Sequence, residues 1–332
     1  MEDNYTLTDQ FSGPAVAAVL TVEMILALIA NGVVLSITLY QRKSLKQPST
    51  VFFTSLILAH LVLNLLYLPF YIISLSAGEW IFNGSDEEKR GTCYFALYIF
   101  WWMVLVISTT LAAISFDRFL FIVKPHLHNR YMKPWVALTL TIAIWILSAV
   151  YTTFYIFGFQ FDHHQFDSQY CSLPSSSSRG FFGLFAALII LGIIFVFSIW
   201  TFCFTRRFFR DQSVIAGESA YASKKKRLFG IFGSMLLIYG ICLVPAVVYS
   251  LLYLFIDVPI WFIIIGTISF LFFTIANPVI QSYFRPEIMG VLSWLDNKHT
   301  VFGRFFMDVA QKISEVKTDP RSNNPYDEIK VI

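Results

Sequence analysis

Seven long apolar stretches constrain this chain more than any other feature. They run approximately Ala15–Tyr40, Val51–Ala77, Tyr94–Val123, Pro134–Gly158, Gly180–Thr205, Leu228–Ile256 and Pro259–Tyr283. A helix rising about 1.5 Å per residue needs roughly 20 mostly apolar residues to cross a hydrocarbon core about 30 Å thick. Each stretch is long enough. Lipid offers the backbone no hydrogen-bonding partner, so each must be a helix that closes its own bonds. The sequence therefore predicts an all-α membrane protein, a seven-transmembrane helix bundle over 15–283. Residues 1–14 precede it and 284–332 follow. The latter begin with an amphipathic pattern (Ile288, Val291, Leu292, Trp294, Leu295) that predicts a short amphipathic helix after the seventh span.

Composition agrees and excludes other classes. Of the 332 residues, 57% are hydrophobic and 14% charged, against about 45–50% and about 25% in soluble domains. That surplus does not fit inside one water-soluble core, which argues against a cytosolic enzyme, a disordered chain and a nucleic-acid binder. A net charge of +3 is too small to call for a polyanion. No nucleophile–base set or metal-ligand spacing is present, so neither catalysis nor a metal or cofactor is expected. Residues 1–14 hold acids but no Lys or Arg, and the first apolar run is too long for a signal peptide. Span one then serves as its own insertion signal.

Charge sets the orientation. The segments after spans one, three, five and seven, with Arg118 at the end of span three, hold 21 of the 24 basic residues. Only Lys89, Arg90 and Arg179 fall on the other side. The positive-inside rule places the N-terminus outside and the C-terminus in the cytoplasm, as in a multi-pass plasma-membrane protein. The sequons at Asn4 and Asn83 both fall on the outer side.

Local motifs sharpen the picture. Span three ends in Asp117-Arg118-Phe119, and Pro125 follows Arg118 by seven residues. Cys93 precedes Arg118 by 25, and Cys171 lies in the loop before span five. Asn31, Trp145, Pro245 and Asn277-Pro278 mark spans one, four, six and seven, and Trp80 lies in the first outer loop. Together these resemble the landmark residues of the rhodopsin-like (class A) G-protein-coupled receptors, in order and spacing, over about residues 15–295. The resemblance implies a receptor that activates heterotrimeric G proteins when helix six moves outward. Asp117, Arg118, Phe119, Pro245, Asn277 and Pro278 would form the switch, and Cys93 would be bridged to Cys171. An Arg beside an Asp at the membrane boundary is expected to pair with it. Pro245 and Pro278 each remove a backbone donor, which gives their helices room for two packings.

Several positions depart from the family. His60 stands where most members carry an Asp in span two, and Ile107, 11 residues before Arg118, stands where they carry a Ser. An imidazole and an aliphatic side chain do not make the family's sodium site. His60 is instead expected to join a polar core with Asn31, Asn277 and Gln281, either as a neutral hydrogen-bonded imidazole or as a buried proton switch, burial favouring the first. Leu243 replaces the family's toggle Trp and Gln281 its Tyr. These changes put the usual relay in question and keep a weakly coupled scavenger or scaffold as an alternative. A transporter would need paired broken helices or several intramembrane charges; the spans offer Glu23 and His60.

Phe100 occupies the amine-binding position of aminergic receptors, 18 residues before Arg118, and span seven has no Lys for a retinal Schiff base. Aromatic residues crowd the outer halves of the helices. Tyr71, Tyr98, Phe100, Trp101, Val104, Tyr249 and Tyr253 form a candidate ligand pocket, suited to an apolar molecule or the hydrophobic end of a peptide. Helix packing and interfacial belts compete for the same aromatics. The outer segments hold ten acids, from Glu2 to Asp257, against three bases, a balance that favours a cationic peptide over an anionic lipid.

Overall fold

A computed structural model describes residues 12–40, 47–82, 85–158, 171, 177–216, 241, 242, 245, 248, 252 and 260–283. Met1–Ile280 forms one compact unit and Gln281–Ile332 a second, of which only 281–283 are described. Every regular element among the described residues is helical. In chain order they are α1 (Gly13–Tyr40), α2 (Pro48–Leu66), α3 (Leu68–Ala77), α4 (Asp86–Val123), α5 (Pro125–Tyr131), α6 (Pro134–Phe157), α7 (Ser177–Ala216) and α8 (Ile260–Tyr283). Five stretches are long and apolar enough to cross a membrane (α1, α2 with α3, α4, α6 and the Leu188–Arg207 part of α7), and a shorter apolar helix covers Ile264–Ile280 within α8. Between α7 and α8, the described residues Ile241, Cys242, Pro245, Val248 and Leu252 are helical. The chain folds as an all-α seven-helix membrane bundle. The amphipathic segment after span seven lies outside the described residues.

Three departures from the sequence expectation have a local reason, and α7 runs from Ser177 to Ala216 where the sequence predicts Gly180–Thr205. Span two is not one helix. It breaks at Tyr67 (φ −108°, ψ −51°) into α2 and α3, because Pro69 has no N–H to give Leu65 and its ring crowds that carbonyl. Span three starts at Asp86 rather than near Tyr94. Ser85 Oγ accepts from the Glu88 amide and Glu88 Oε2 accepts from the Ser85 amide, both at 3.4 Å, and this reciprocal cap sustains a polar first turn. Between spans three and four a further short helix forms. Pro125 cannot continue α4 but suits the first position of α5.

The core is centred on α4. Met103, Val106, Ile107 and Leu111 are fully buried, and Phe52, Leu56 and Leu63 of α2 pack with them. Trp145 of α6 ties three helices: its Nε1 donates to Ser55 Oγ of α2 at 2.8 Å, and its carbonyl accepts from Trp102 Nε1 of α4 at 3.1 Å. Leu138, Ile142, Ile146 and Val150 of α6 are exposed, as suits contact with lipid.

Candidate functional site

The polar core sits between α1, α2 and α8. Pro278 has no N–H, so the carbonyl of Thr274, four residues earlier, lacks its helical donor. Asn31 supplies one. Its Nδ2 donates to the Thr274 carbonyl at 2.9 Å and to the Ala27 carbonyl at 2.8 Å. With the amide nitrogen doubly engaged, Asn31 Oδ1 is the acceptor for His60 Nδ1 at 3.2 Å, which assigns the Nδ1–H tautomer to a neutral ring. Asn64, one turn along α2, donates from Nδ2 to the His60 carbonyl at 2.8 Å and to Thr274 Oγ1 at 3.3 Å. Thr274 Oγ1 in turn donates to the Leu271 carbonyl at 2.7 Å. Asn31, His60, Asn64, Thr274 and Asn277 are all buried. His60 Nε2 and Asn64 Oδ1 have no hydrogen-bond partner among the described residues. Phe273 meets the imidazole edge-on at 5.9 Å.

Of the expected polar core, Asn31 and His60 are brought together and Asn277 lies buried one turn from Thr274 on α8. The side chain of Gln281 lies outside the described residues. Sequence reasoning missed Asn64 and Thr274, although Asn64 sits at the i+4 position from His60 and so on the same helical face. Ile107, on α4, is buried and apolar. Glu23 of α1 is half-buried, and its Oε2 has no hydrogen-bond partner among the described residues.

At the C-terminal end of α4, Asp117 is 3% exposed, and its side-chain partner is His128 of α5, Nε2 to Oδ1 at 3.1 Å. This corrects the expected Asp117–Arg118 pair. Side chains of adjacent helical residues diverge by about 100°, whereas α5 folds back beneath α4 and presents the imidazole. Arg118 is half-exposed. Phe119 is buried against Phe197 and Trp200 of α7, with ring centroids 5.1 and 5.2 Å apart. Pro245 is half-buried and helical, and α8 continues through Pro278.

The aromatic residues of the candidate pocket divide into two groups. Phe100 packs on Tyr67 (4.7 Å) and Phe270 of α8 (6.2 Å), and Tyr67 stacks on Tyr71 (5.6 Å). The Tyr71 hydroxyl hydrogen-bonds Thr267 of α8. Tyr98 and Trp101 turn instead toward α6: the Tyr98 hydroxyl donates to the Ala149 carbonyl at 3.4 Å, and Trp101 meets Tyr155 at 5.3 Å. Val104 is half-buried against the core. Tyr249, Tyr253, Leu243 and both sequon asparagines, Asn4 and Asn83, lie outside the described residues. In the N-terminal part of α4, Cys93 is disulfide-bonded to Cys171, closing 78 residues of chain, and the buried Trp80 donates from Nε1 to Thr92 Oγ1 at 3.0 Å. Of the remaining cysteines, Cys242 is buried and Cys203 exposed.

Comparison with known proteins assigns the bundle. The family model described as 7 transmembrane receptor (rhodopsin family) matches residues 30–281, well over half of the chain. Over 148 residues the chain is 28% identical to G-protein coupled receptor 161 of Mus musculus, covering 44% of this chain and 26% of that one. It is 24% identical over 131 residues to the high-affinity lysophosphatidic acid receptor of Xenopus laevis, covering 40% of this chain and 33% of that one. A short match of another kind, 54% identical over 41 residues, is to peptidylprolyl isomerase domain and WD repeat-containing protein 1 of Homo sapiens. It covers 12% of this chain and 6% of that protein, too little to bring an activity with it. The matched stretches thus span at most a third of each of these relatives. The matched family, the seven-helix bundle and the disulfide in the N-terminal part of α4 agree: the chain is a multi-pass membrane receptor, not an enzyme, and belongs to the rhodopsin family of G-protein-coupled receptors.

Proposed function

We propose that this receptor sits in the plasma membrane with its N-terminus (1–14) outside and its tail (284–332) in the cytoplasm, senses an extracellular ligand, and activates heterotrimeric G proteins through helix-six movement. The observation that carries the coupling step is the state of the inner end. The Asp117 carboxylate is engaged by His128 and not by Arg118, so the guanidinium keeps its donors for a partner entering from the cytoplasm. Pro245 and Pro278, with Asn277 beside the polar core, are the switch elements. Nucleotide release from purified heterotrimer, driven by wild-type receptor in nanodiscs, should exceed that driven by Arg118→Ala. Equal background release by both sinks the proposal.

The ligand is a peptide or an apolar molecule, reached through the Tyr71–Phe100 aromatic group, with Tyr249 and Tyr253 proposed to face it. The ring contacts around Phe100 leave that position no anionic partner for an amine. The name of the Xenopus relative speaks for an anionic lipid with an apolar tail and the acidic outer segments for a cationic peptide, so a screen should hold both. Occupied glycans at Asn4 and Asn83 would fix the orientation. Glycosidase treatment should shift the wild type on a gel but not Asn4→Gln/Asn83→Gln.

One specific observation favours a second reading, a receptor with little or no coupling that acts as a scavenger or scaffold. His60 is bonded into α1 through Asn31, where the family places an acid. Uptake of a bound ligand without nucleotide release would select it.

A further inference from the structure

Glu23 is an acid ten residues into the 28-residue helix α1, about 15 Å along its axis and so deep in the membrane. It stands one turn from each of the buried Leu20 and Ala27, on the side of α1 turned to the bundle, whereas Val19, Val22 and Leu26 are exposed. Its Oε2 is covered and has no hydrogen-bond partner among the described residues, and its charge acts on the thiol of the buried Cys242 in span six. No cation of the spans reaches it. Arg118 is the one Lys or Arg in any of the seven apolar stretches. It lies toward the far side, because α1 and α4 cross the membrane in the same direction, Glu23 is near the start of α1 and Arg118 near the end of α4. His60 is taken by Asn31, two turns further along α1.

Space lies at the same depth. Asn31 of α1 meets Thr274 of α8, and eight residues back along these two parallel helices stand Glu23 and Gly266. Gly266 is buried, yet a methyl group placed on it would meet no atom within 4 Å among the described residues. The next residue, Thr267, bonds the Tyr71 hydroxyl, so the aromatic group of Tyr67, Tyr71 and Phe100 ends beside this space.

We propose that Glu23 is the anchor for a cationic group, an ammonium or guanidinium borne by the ligand, seated between α1 and α8 beside Gly266. An intramembrane carboxylate without a partner is costly, and a cation brings charge and hydrogen-bond donors together. Phe100 stands at the amine-binding position of aminergic receptors, so a cation here is held from α1 instead. The proposal rests on the reading above that a ligand enters through the Tyr71–Phe100 group, and it favours the cationic peptide of the two ligand classes.

The test titrates full-length receptor in lipid nanodiscs with hexylammonium and, as its uncharged analogue, hexanol, and follows the thermal midpoint. Hexylammonium should raise the wild-type midpoint saturably, as a ligand of the folded state does, and hexanol should not. Glu23→Gln should weaken hexylammonium binding about tenfold or more, the loss expected when one partner of a desolvated charge pair is removed. Glu23→Asp, which keeps the charge, should retain the response, and Gly266→Leu, which fills the space, should remove it. A wild type that does not respond to hexylammonium, or responds equally to hexanol, overturns the proposal without any variant; so does undiminished binding by Glu23→Gln. Phe100→Ala tests the entry route separately: if it leaves hexylammonium binding unchanged while Glu23→Gln abolishes it, the route fails and the anchor stands. No G protein takes part, so equal background nucleotide release by wild type and Arg118→Ala defeats the coupling reading alone.

Discussion

Asn31 shows how much one side chain settles here. Its amide nitrogen satisfies the carbonyl that Pro278 strands, and its oxygen accepts a hydrogen bond from His60 Nδ1. Replacing it by Ala removes both partners at once in a buried site. Asn31→Ala is expected to cost about 1–3 kcal/mol, the range for leaving buried polar groups unmet, read as a lower thermal midpoint of the purified receptor. Asn31→Asp should not rescue it, because a carboxylate cannot donate to the Thr274 carbonyl. The neighbouring departures carry a prediction about ions. His60 and Ile107 bring no anionic oxygen to the place where the family holds sodium. Exchanging choline for sodium at constant ionic strength should leave the thermal midpoint unmoved. A sodium-specific rise would overturn this reading.

At the scale of elements, prolines and caps decide where helices start and stop. Pro69 splits span two, and Pro125 and Pro134 each open a new helix after the chain turns. Gly78 closes α3 with φ 76°, a left-handed conformation that glycine adopts without strain. Ser85 is both the N-cap of α4 and the third residue of the Asn83 sequon. Separating these roles gives a clean test. Ser85→Ala should destabilise the first turn by about 1 kcal/mol, seen as faster amide exchange over 86–92. Asn83→Gln, which removes the glycan site but not the cap, should leave that exchange unchanged. The Ser-x-x-Glu spacing is readable in the sequence; a count of apolar residues passes over it because the turn it sustains is charged.

For the whole molecule, the bridge from Cys93 to Cys171 spans the longest stretch of chain that any covalent link closes among the described residues, 78 residues. Such a link chiefly restricts the unfolded chain. Cys93→Ser should lower stability by about 2–4 kcal/mol, and a reductant should bring the wild type to the same thermal midpoint while leaving the variant unmoved. If the reductant moves the variant equally, the bridge is not the cause. Trp145 plays the matching non-covalent part in the membrane, joining α2, α4 and α6 through one indole and one carbonyl.

Much of this architecture is legible in the amino-acid sequence. Run length and the cost of an unpaired backbone in lipid determine seven helices, and the placement of Lys and Arg predicts their orientation, because both are summed properties that do not depend on which side chains meet. The landmark residues place the family for the same reason, being fixed by spacing along the chain. Pairing is another matter. Asp117 sits next to Arg118 in sequence yet bonds His128, and His60 bonds Asn31, because adjacent residues on a helix point apart while distant ones are brought together by a turn or by packing. The aromatic excess divides likewise: Phe100 and Tyr71 face α8, whereas Tyr98 and Trp101 pack on α6. Only the tertiary structure decides such contacts, since the rotation of each helix is set by its neighbours and not by its own composition.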